Sequence, residues 1–483
     1  MTPDPNISPN LQTPPQQSYL YNYSLRALWF LVALILFPIT VPMIYIRVNN
    51  FGIRALPLDP FVVYNRAKAL FLGVLDGIGG PTIPLLYAFF KQRLMYSSPL
   101  SDTSISGISY GKLPRQKMDI FVPISLQKTK EQNSGTPKPQ PGNLPVIIVF
   151  PGYSWNSTTG LIQLYKPMAQ TLCDTGVFVI LPNLGLPGKT SLIEIMEDMQ
   201  LVVEWTARHI EKSGGDPQQI HLLGFGAGAH MCAMYNIASS LSGLQKMGEP
   251  MSRSINKILS TQNADAELLE WLSRLTHPVL PVSGLILISG VYSLELQRKY
   301  ESSRCIDTLS MSSRFFDSID YAEAWSPLNI HRGLRKRGVF IPSNFFAKRV
   351  LIVHGQKDST FPLDVSQQMF QEYCLLDMDD VNMKVYANLR RIDPSVILSV
   401  QDASLAKSFL EDIKAAISPF DSDSDTLNAS NNSDSHDEEL VDHVDFPQNG
   451  LLKHKLDSYG SLSESDFSGR SSTPEYSDSN TDS

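Results

Sequence analysis

Short apolar runs alternate with longer segments of helical periodicity between Tyr110 and Ile417 of this 483-residue chain. The runs contain many β-branched residues and few polar positions, as is typical of strands covered by helices on both faces. They are Met118–Val122, Val146–Phe150, Val177–Leu181, Ile220–Leu223, Leu285–Ser289, Val350–Val353 and Met383–Tyr386. Helical periodicity is clearest over Leu192–Ile210 and Ala227–Ser239. The alternation predicts an α/β fold in which residues 110–417 form a doubly wound, mostly parallel sheet.

Two longer stretches, 241–280 and 293–345, interrupt this alternation. In open α/β sheets, ligands bind outside the carboxyl ends of the strands. We therefore interpret both stretches as insertions that cap this edge of the sheet. The polar residues of the helical segments are expected to be solvated or to cap helix ends, among them Glu194, Asp198 and Glu204.

The amino-terminal part of the chain has the composition of a disordered segment followed by a membrane anchor. Residues 1–23 are rich in Pro, Gln and Asn. The next segment, 24–47, contains an uncharged stretch from Ala27 to Ile46. At about 1.5 Å per residue, a helix of this length spans the roughly 30 Å hydrocarbon layer of a bilayer. We predict a transmembrane helix over 24–47.

A second apolar stretch, 69–90, lies in the membrane-proximal segment 48–109. It contains Asp76, which is costly in lipid, together with several Gly and Pro residues. The stretch is thus consistent either with a second crossing or with a re-entrant, interfacial or cap-packing segment. After a single crossing, the positive-inside rule favours a cytosolic location for the domain that follows, because four basic residues follow the first segment and one precedes it. These are Arg47, Arg54, Arg66 and Lys68, against Arg26.

The charge of the chain is concentrated at its carboxyl end. Residues 419–483 carry 15 acidic and 3 basic residues, a net charge of −12, which leaves +4 for the rest of a chain whose net charge is −8. Segment 418–483 is also Ser-rich, so we predict a disordered acidic tail that could be phosphorylated and recruit a basic protein partner. No dense Lys/Arg stripe is present, which argues against nucleic acid as a partner. The four cysteines and the histidines lack metal-ligand spacing, so no metal or cofactor is expected.

The sequence Gly224-Phe225-Gly226-Ala227-Gly228 follows a predicted strand and opens a predicted helix. This is the context of a nucleophile elbow, G-x-S-x-G, in which a serine stands on a strained turn. Here the central residue is Gly226, which fits the turn without strain but brings no hydroxyl. A dinucleotide-binding turn is disfavoured, because the motif lies late in the domain rather than after a first strand.

Two further elements have the positions expected of a hydrolase site. Gly152, Tyr153 and Ser154 follow the strand Val146–Phe150, where an oxyanion loop would donate backbone N–H groups together with Ala227. The bulky Tyr153 would narrow the space that the acyl oxygen of a substrate must enter. Asp358 follows the strand Val350–Val353 and takes the position of a triad acid. The general base should follow the next strand, but no histidine occurs between His354 and His436.

The order of these motifs resembles that of membrane-bound prenylcysteine methylesterase and carboxylesterase-like α/β-hydrolases, including fungal relatives. Motifs that carry the resemblance include Tyr110-Gly111, Met118-Asp119-Ile120, Gly214-Gly215-Asp216-Pro217, Gly224 to His230, Gly290-Val291-Tyr292 and His354 to Asp358. The resemblance implies an α/β-hydrolase fold, a membrane location, which we expect to be the endoplasmic reticulum, and ester hydrolysis. It places the nucleophilic serine at Gly226, the acid at Asp358 and the histidine near Arg391 or Ile392.

Two of the three triad positions therefore depart from the family pattern. Without a hydroxyl no acyl-enzyme forms, and without an imidazole nothing activates a substitute. The leading interpretation is a membrane-anchored pseudohydrolase whose capped cleft binds a lipid or acyl ligand, or which binds a protein partner. The alternative is an active carboxylic-ester hydrolase with a relocated nucleophile, for which Ser154 and Cys232 are the candidates and His230 a possible partner.

Overall fold

The computed structural model describes sixteen helices and strands, all within the unit Leu70–Ser483. The described residues are 104–123, 144–152, 162, 165–185, 190–246, 279–303, 322, 324–336, 341–358, 360–376, 378, 380–387, 389, 398, 404–418 and 443–446. The strands are β1 (Ser104–Ser109), β2 (Lys117–Phe121), β3 (Leu144–Phe150), β4 (Phe178–Pro182), β5 (Gly215–Phe225), β6 (Gly284–Ile288), β7 (Arg349–Gly355), β8 (Asp380–Tyr386) and β9 (His443–Phe446). The helices are α1 (Lys166–Asp174), α2 (Leu192–His209), α3 (Ala227–Lys246), α4 (Leu294–Ser303), α5 (Pro327–Lys336), α6 (Leu363–Leu375) and α7 (Ser404–Ile417).

All nine strands belong to one sheet in the order β1-β2-β4-β3-β5-β6-β7-β8-β9. The pairs from β4 to β8 are parallel, whereas β1–β2, β2–β4 and β8–β9 are antiparallel. The order reverses at β3, which lies between β4 and β5, so the chain winds outward in both directions from this point. The predicted doubly wound, mostly parallel sheet is confirmed.

Successive residues of the central strands face opposite sides of the sheet, as the two-residue period of a strand requires. Ile148 and Leu222 belong to a core that includes residues of α2, α3, α5 and α6. Their neighbours Ile147 and Leu223 belong to a second core, which α1 and α7 cover. Because both faces are covered, the strands are apolar throughout, and this explains the uninterrupted runs in the sequence.

The helices follow the predicted periodicity closely. Helix α2 begins at a capping box, in which Ser191 accepts a hydrogen bond from the backbone N–H of Glu194 and the Glu194 carboxylate accepts one from the Ser191 N–H. The expectation that Glu194 caps a helix is therefore confirmed. Helix α3 runs to Lys246, beyond the predicted end at Ser239 and into the first expected insertion. The buried small and polar residues of its second half continue the packing against the sheet.

Part of the second expected insertion, 293–345, is described as α4 and α5. In α4 the Gln297 side chain donates a hydrogen bond to the backbone carbonyl of Thr360, 3.0 Å away, just beyond β7. This contact places α4 at the carboxyl edge of the sheet, as predicted. Helix α5 instead pairs with α6, since Arg335 Nε donates to Glu372 Oε1 at 2.8 Å.

The two outer strands, β1 and β9, were absent from the predicted set. Strand β1 pairs with β2 in antiparallel register and extends the sheet to Ser104, so the domain begins before the predicted boundary at 110. Strand β9 pairs with β8 and lies within the predicted disordered segment 418–483. These four residues correct that prediction.

The predicted amino-terminal segments 1–23, 24–47 and 69–90 lie outside the described residues. Over the part of the chain that the structure does describe, no helix combines the length and the apolar character needed to cross a bilayer. The rest of the tail, apart from β9, also lies outside the described residues.

Candidate functional site

The site is built on a tight turn between β5 and α3. Strand β5 ends at Phe225 and helix α3 begins at Ala227, so Gly226 alone makes the turn. Its φ of +54° is left-handed, a conformation that costs side-chain-bearing residues free energy and glycine little. The Gly226 N–H donates to the carbonyl of Ile288 on β6 at 2.9 Å. The chain thus retains the backbone of an elbow, with glycine at the point where a nucleophile would project.

The end of β3 packs directly against this turn. A Cβ added to Gly152 would lie 1.5 Å from the Phe225 carbonyl oxygen and 2.9 Å from the Ala227 nitrogen. Only glycine allows such a close approach of two backbones. The structure therefore brings the start of the predicted oxyanion loop to the N–H of Ala227. Tyr153 and Ser154 lie outside the described residues.

Asp358 stands in a turn after β7, with its side chain fully buried. Its Oδ1 accepts hydrogen bonds from the backbone N–H groups of Thr360 at 2.8 Å and Phe361 at 3.0 Å. Its Oδ2 has no hydrogen-bond partner among the described residues and lies 3.7 Å from His354 Nε2. One oxygen is therefore committed to the turn and the other is left where a triad acid would meet its base. Arg391, at the expected position of that base, lies outside the described residues.

His354 is the last side chain of β7 before the turn and is buried. Its Nε2 lies 3.2 Å from the Phe361 carbonyl oxygen, and its Nδ1 lies 2.8 Å from Ser366 Oγ. A neutral ring satisfies both contacts if Nε2–H donates to the carbonyl and Nδ1 accepts from the hydroxyl. Burial lowers the pKa of His354, against the opposing influence of Asp358. Both ring nitrogens are therefore engaged: Nε2 contacts the turn, and Nδ1 contacts Ser366 on α6.

Phe361 was not predicted as a site residue, although the chain order places it three residues after the acid. A Cβ at position 226 would lie 3.1 Å from Phe361 Cε2 and 3.7 Å from its Cζ. This is closer than ordinary van der Waals contact between carbon atoms. The Phe361 ring therefore occupies space that a side chain at the elbow would need.

Ser289 is a second residue that the sequence did not reveal. It follows β6 beside the elbow, and its carbonyl oxygen lies 3.9 Å from the Cβ position of Gly226. It is the one described residue other than glycine with a positive φ, at +46°. It is 1% exposed, and its hydroxyl has no hydrogen-bond partner among the described residues. Backbone strain of this kind is concentrated at functional sites in proteins, and no sequence pattern signals it here.

The residues considered for a relocated nucleophile are placed unfavourably. Cys232 lies on α3 and is fully buried, and burial raises the pKa of its thiol well above the ordinary value. A thiol with a raised pKa is a poor nucleophile because little thiolate forms. His230 is also fully buried; its Nδ1 contacts the Val291 carbonyl at 2.6 Å, and burial lowers its pKa to about 4. Both residues pack the region below the elbow.

A second buried carboxylate, Asp198, holds the neighbouring part of the same edge. It was expected to be solvated or capping, but it is 1% exposed. Its carboxylate accepts hydrogen bonds from the Arg115 guanidinium, from Gln116 Nε2 at 2.7 Å and from the Gly185 N–H at 2.8 Å. The network ties the segment before β2 to the segment after β4, so the expectation was wrong for Asp198. Glu204 pairs with Arg208, but its own side chain is only 18% exposed and also accepts from Gln200 Nε2 at 3.3 Å, so it is only partly solvated.

The described part of the site offers little for metal chemistry. Within it, no three His, Cys, Asp or Glu side chains are grouped as ligands of a metal ion. The arrangement provides an elbow backbone, an acid-bearing turn and a close backbone contact at the oxyanion position. A hydroxyl or thiol at the elbow itself is missing.

Comparison with known proteins gives matches to ester hydrolases. The BD-FAE family matches residues 135–268, which include β3, β4 and β5. A probable isoprenylcysteine alpha-carbonyl methylesterase of Arabidopsis thaliana is 28% identical over 126 residues, covering 26% of this chain and 23% of that protein. A second isoprenylcysteine alpha-carbonyl methylesterase of the same plant is 24% identical over 174 residues, covering 36% of each chain. The chain thus matches little more than a third of these relatives' length at most.

Two solved structures of esterases also superpose on part of this chain. Esterase B of Lactobacillus rhamnosis superposes with a TM-score of 0.45 and 12% identity, covering 69% of this chain and 92% of that chain. A carboxyl esterase of the fungus Tuber melanosporum gives a TM-score of 0.45 and 16% identity, covering 68% and 99%. The sequence matches agree with the resemblance inferred from the motifs.

Proposed function

We propose that this chain is a member of the α/β-hydrolase superfamily, as its similarity to carboxylesterase-like proteins supports, and that it is a catalytically inactive, membrane-anchored pseudohydrolase. Its capped cleft binds a lipid or acyl ligand, or the domain binds a protein partner. The observation that carries this proposal is Gly226, alone between β5 and α3 at a φ of +54°. A position of that geometry presents a nucleophile in an active enzyme, and here it presents none.

The acid turn supports the same conclusion. Asp358 keeps the buried position of a triad acid, but its Oδ2 has no hydrogen-bond partner among the described residues. In a working triad that oxygen orients the imidazole of the base. The sequence supplies no histidine between His354 and His436, and His354 is already engaged at both nitrogens. A relocated nucleophile would therefore lack an evident base.

The membrane part of the proposal rests on the sequence alone. Segment 24–47 anchors the chain in the membrane, which we take to be the endoplasmic reticulum, and the domain faces the cytosol. The acidic tail recruits a protein partner. Carbonate extraction of membranes should leave the full chain in the pellet, whereas a chain without residues 24–47 should be released. Release of both would refute the anchor.

Reactivity toward a fluorophosphonate probe tests the absence of catalysis. The purified protein should remain unlabelled under conditions in which an active serine esterase is labelled to completion. Stoichiometric labelling that is lost on heat denaturation would overturn the proposal. In that case the Ser154→Ala variant would tell whether the oxyanion loop supplies the reactive hydroxyl.

A gain-of-function variant provides a complementary test. The Gly226→Ser and Arg391→His changes together restore the two missing triad positions that the resemblance identifies. Labelling is expected when this double variant also carries Phe361→Ala, which removes the ring that lies against the elbow, but not for either single variant. Turnover of a short-chain p-nitrophenyl ester by the unmodified protein at the rate of the triple variant would contradict the proposed inactivity.

A further inference from the structure

We infer that the Phe361 ring fills the space in front of Gly226. The nucleophile position is then inaccessible to a substrate, in addition to lacking a hydroxyl or thiol. This inference concerns access to the position and goes beyond the proposed loss of catalysis. The supporting distance is 3.1 Å between Phe361 Cε2 and the place of a Cβ on Gly226. A nucleophilic oxygen or sulfur lies one bond further from the backbone and meets the ring more closely in the rotamer directed at it.

The strength of the block depends on how firmly Phe361 is held. Its N–H donates to Asp358 Oδ1 at 3.0 Å, and its carbonyl oxygen lies 3.2 Å from His354 Nε2. Both partners are buried, so the two hydrogen bonds are shielded from competition by water. The ring itself is 5% exposed and packs in the core that covers one face of the sheet. The hydrogen bonds therefore fix the backbone from which the ring projects, and moving the ring aside by rotation costs its buried contacts.

Thr360, which precedes Phe361, is held by hydrogen bonds at both its N–H and its carbonyl oxygen. The Thr360 N–H donates to the same oxygen of Asp358 at 2.8 Å, and the Thr360 carbonyl accepts from Gln297 Nε2 at 3.0 Å. Gln297 is 2% exposed and also donates to Glu301, one turn further along α4. A helix of the second insertion thus clamps the turn that carries Phe361. In this arrangement the triad acid Asp358 has a second use: it holds the blocking ring in place.

Access to position 226 can be measured with a thiol, which reacts without a triad. In the Gly226→Cys variant, the rate of alkylation of the introduced thiol by iodoacetamide is followed by peptide mass spectrometry. This method separates it from the native cysteines. The thiol should react slowly in the presence of Phe361. Adding Phe361→Ala should accelerate the reaction at least about tenfold, the change expected when exposure of the site costs roughly 1.4 kcal/mol less.

Phe370→Ala is the matched control, because Phe370 is also a buried phenylalanine of the same core and lies on α6. It should leave the rate for the introduced thiol unchanged. Three outcomes would overturn the inference: a fast reaction with Phe361 intact, a slow reaction in both backgrounds, or equal acceleration by the Phe370 change. The first would show an open position, the second a block from another residue, and the third a general loosening.

A stability measurement covers the case in which the cysteine variant does not fold. Gly226→Ala should lower the melting temperature less in a Phe361→Leu background than in the unmodified protein, because the smaller side chain gives the new Cβ room. Equal decreases in both backgrounds would contradict the block. Neither readout requires catalysis, so an accessible thiol together with no fluorophosphonate labelling would refute the block and leave the proposed inactivity standing. Labelling of the unmodified protein, together with a slowly reacting thiol at position 226, would refute the proposed inactivity and leave the block standing.

Discussion

Two buried carboxylates, Asp198 and Asp358, lie at the carboxyl edge of the sheet and differ in how their oxygens are hydrogen-bonded. Asp198 accepts three hydrogen bonds from the segments before β2 and after β4, and both of its oxygens are used. Asp358 accepts two hydrogen bonds on one oxygen, and the other has no partner among the described residues. Both side chains are almost completely removed from solvent.

The difference separates a carboxylate whose two oxygens both stabilise the fold from one whose second oxygen remains available for another partner. Leaving a buried oxygen unpaired costs free energy, so a site selected only for stability would pair it. A triad acid keeps that oxygen for its histidine, and here no histidine occurs between His354 and His436. The unpaired oxygen of Asp358 is therefore consistent with the proposed loss of a triad from this site.

Replacing Asp198 should give the largest effect. Asp198→Ala leaves the Arg115 guanidinium and two further donors without their acceptor, so the free energy of unfolding should fall by about 3 kcal/mol. This is the lower end of the range for a broken buried ion pair, because Arg115 is partly exposed. Urea denaturation measures this. Glu204→Ala on the same helix is the control and should cost less than about 1 kcal/mol, since its partner Arg208 is largely exposed. Equal losses of unfolding free energy in the two variants would show that the buried Asp198 network stabilises the fold no more than the Glu204–Arg208 pair does.

Gly226→Ser is expected to destabilise the protein by about 1 kcal/mol or slightly more. A serine there must adopt a left-handed φ, which costs roughly 1–2 kcal/mol, and its Cβ meets Phe361. Gly107→Ser separates the two causes, because Gly107 has a φ of +76° and no atom within 4 Å of an added Cβ. Thermal unfolding should show the larger loss at Gly226. A serine variant more stable than the unmodified protein would argue against an elbow at this position.

Asp358→Asn should cost less than about 1 kcal/mol, because the amide oxygen can still accept both backbone N–H groups of the turn. Asp358→Ala removes that acceptor and should cost roughly 2 kcal/mol, the usual penalty for buried donors left unpaired. In urea denaturation, the difference between the Asn variant and the unmodified protein isolates the second oxygen, and the difference between the Asn and Ala variants isolates the first. A loss for the Asn variant as large as that for Asp198→Ala would mean that Oδ2 is firmly paired, and the contrast between the two carboxylates would collapse.

The smallest expected effect is a gain at Ser289. Ser289→Gly relieves a φ of +46° and removes a buried hydroxyl that has no partner among the described residues. These gains exceed the added backbone entropy of glycine by a small margin, so stability should rise by about 0.5 kcal/mol. Ser289→Ala, which keeps the strain, is the control for the hydroxyl alone. A clear loss of stability on Ser289→Gly would show that the hydroxyl has a bonding role.

The central sheet could be predicted from sequence because its strands are apolar on both faces. The outer strand Ser104–Ser109 could not, since it is largely exposed and only two of its six residues are large and apolar. His443–Phe446 is a four-residue strand within an acidic segment, where composition indicates disorder. In both cases pairing to a neighbouring strand decides the structure, and the local sequence carries little trace of that neighbour.

The site was predictable where it depends on residue type and spacing, and less so where it depends on packing. The order of Gly226 and Asp358 along the chain was sufficient to place both at strand ends. Asp198 was misjudged although it lies beside Ile195, Met199 and Val202 on the buried stripe of α2, a position that argues for burial. The contact of Phe361 with the elbow joins distant parts of the chain, and the backbone angle of Ser289 has no sequence signature.

Strand β9 has a consequence for how the protein behaves toward other copies of itself. By pairing along Met383–Tyr386, the tail satisfies the free N–H and C=O groups that would otherwise leave β8 as an open edge. Open edges of this kind invite intermolecular strand pairing and aggregation. A chain shortened after Ser418 would keep its core and its site, yet expose that edge. With β9 in place, the sheet ends on a strand of 4 residues instead of the 7 residues of β8, and a very short edge strand is one way in which proteins limit such pairing.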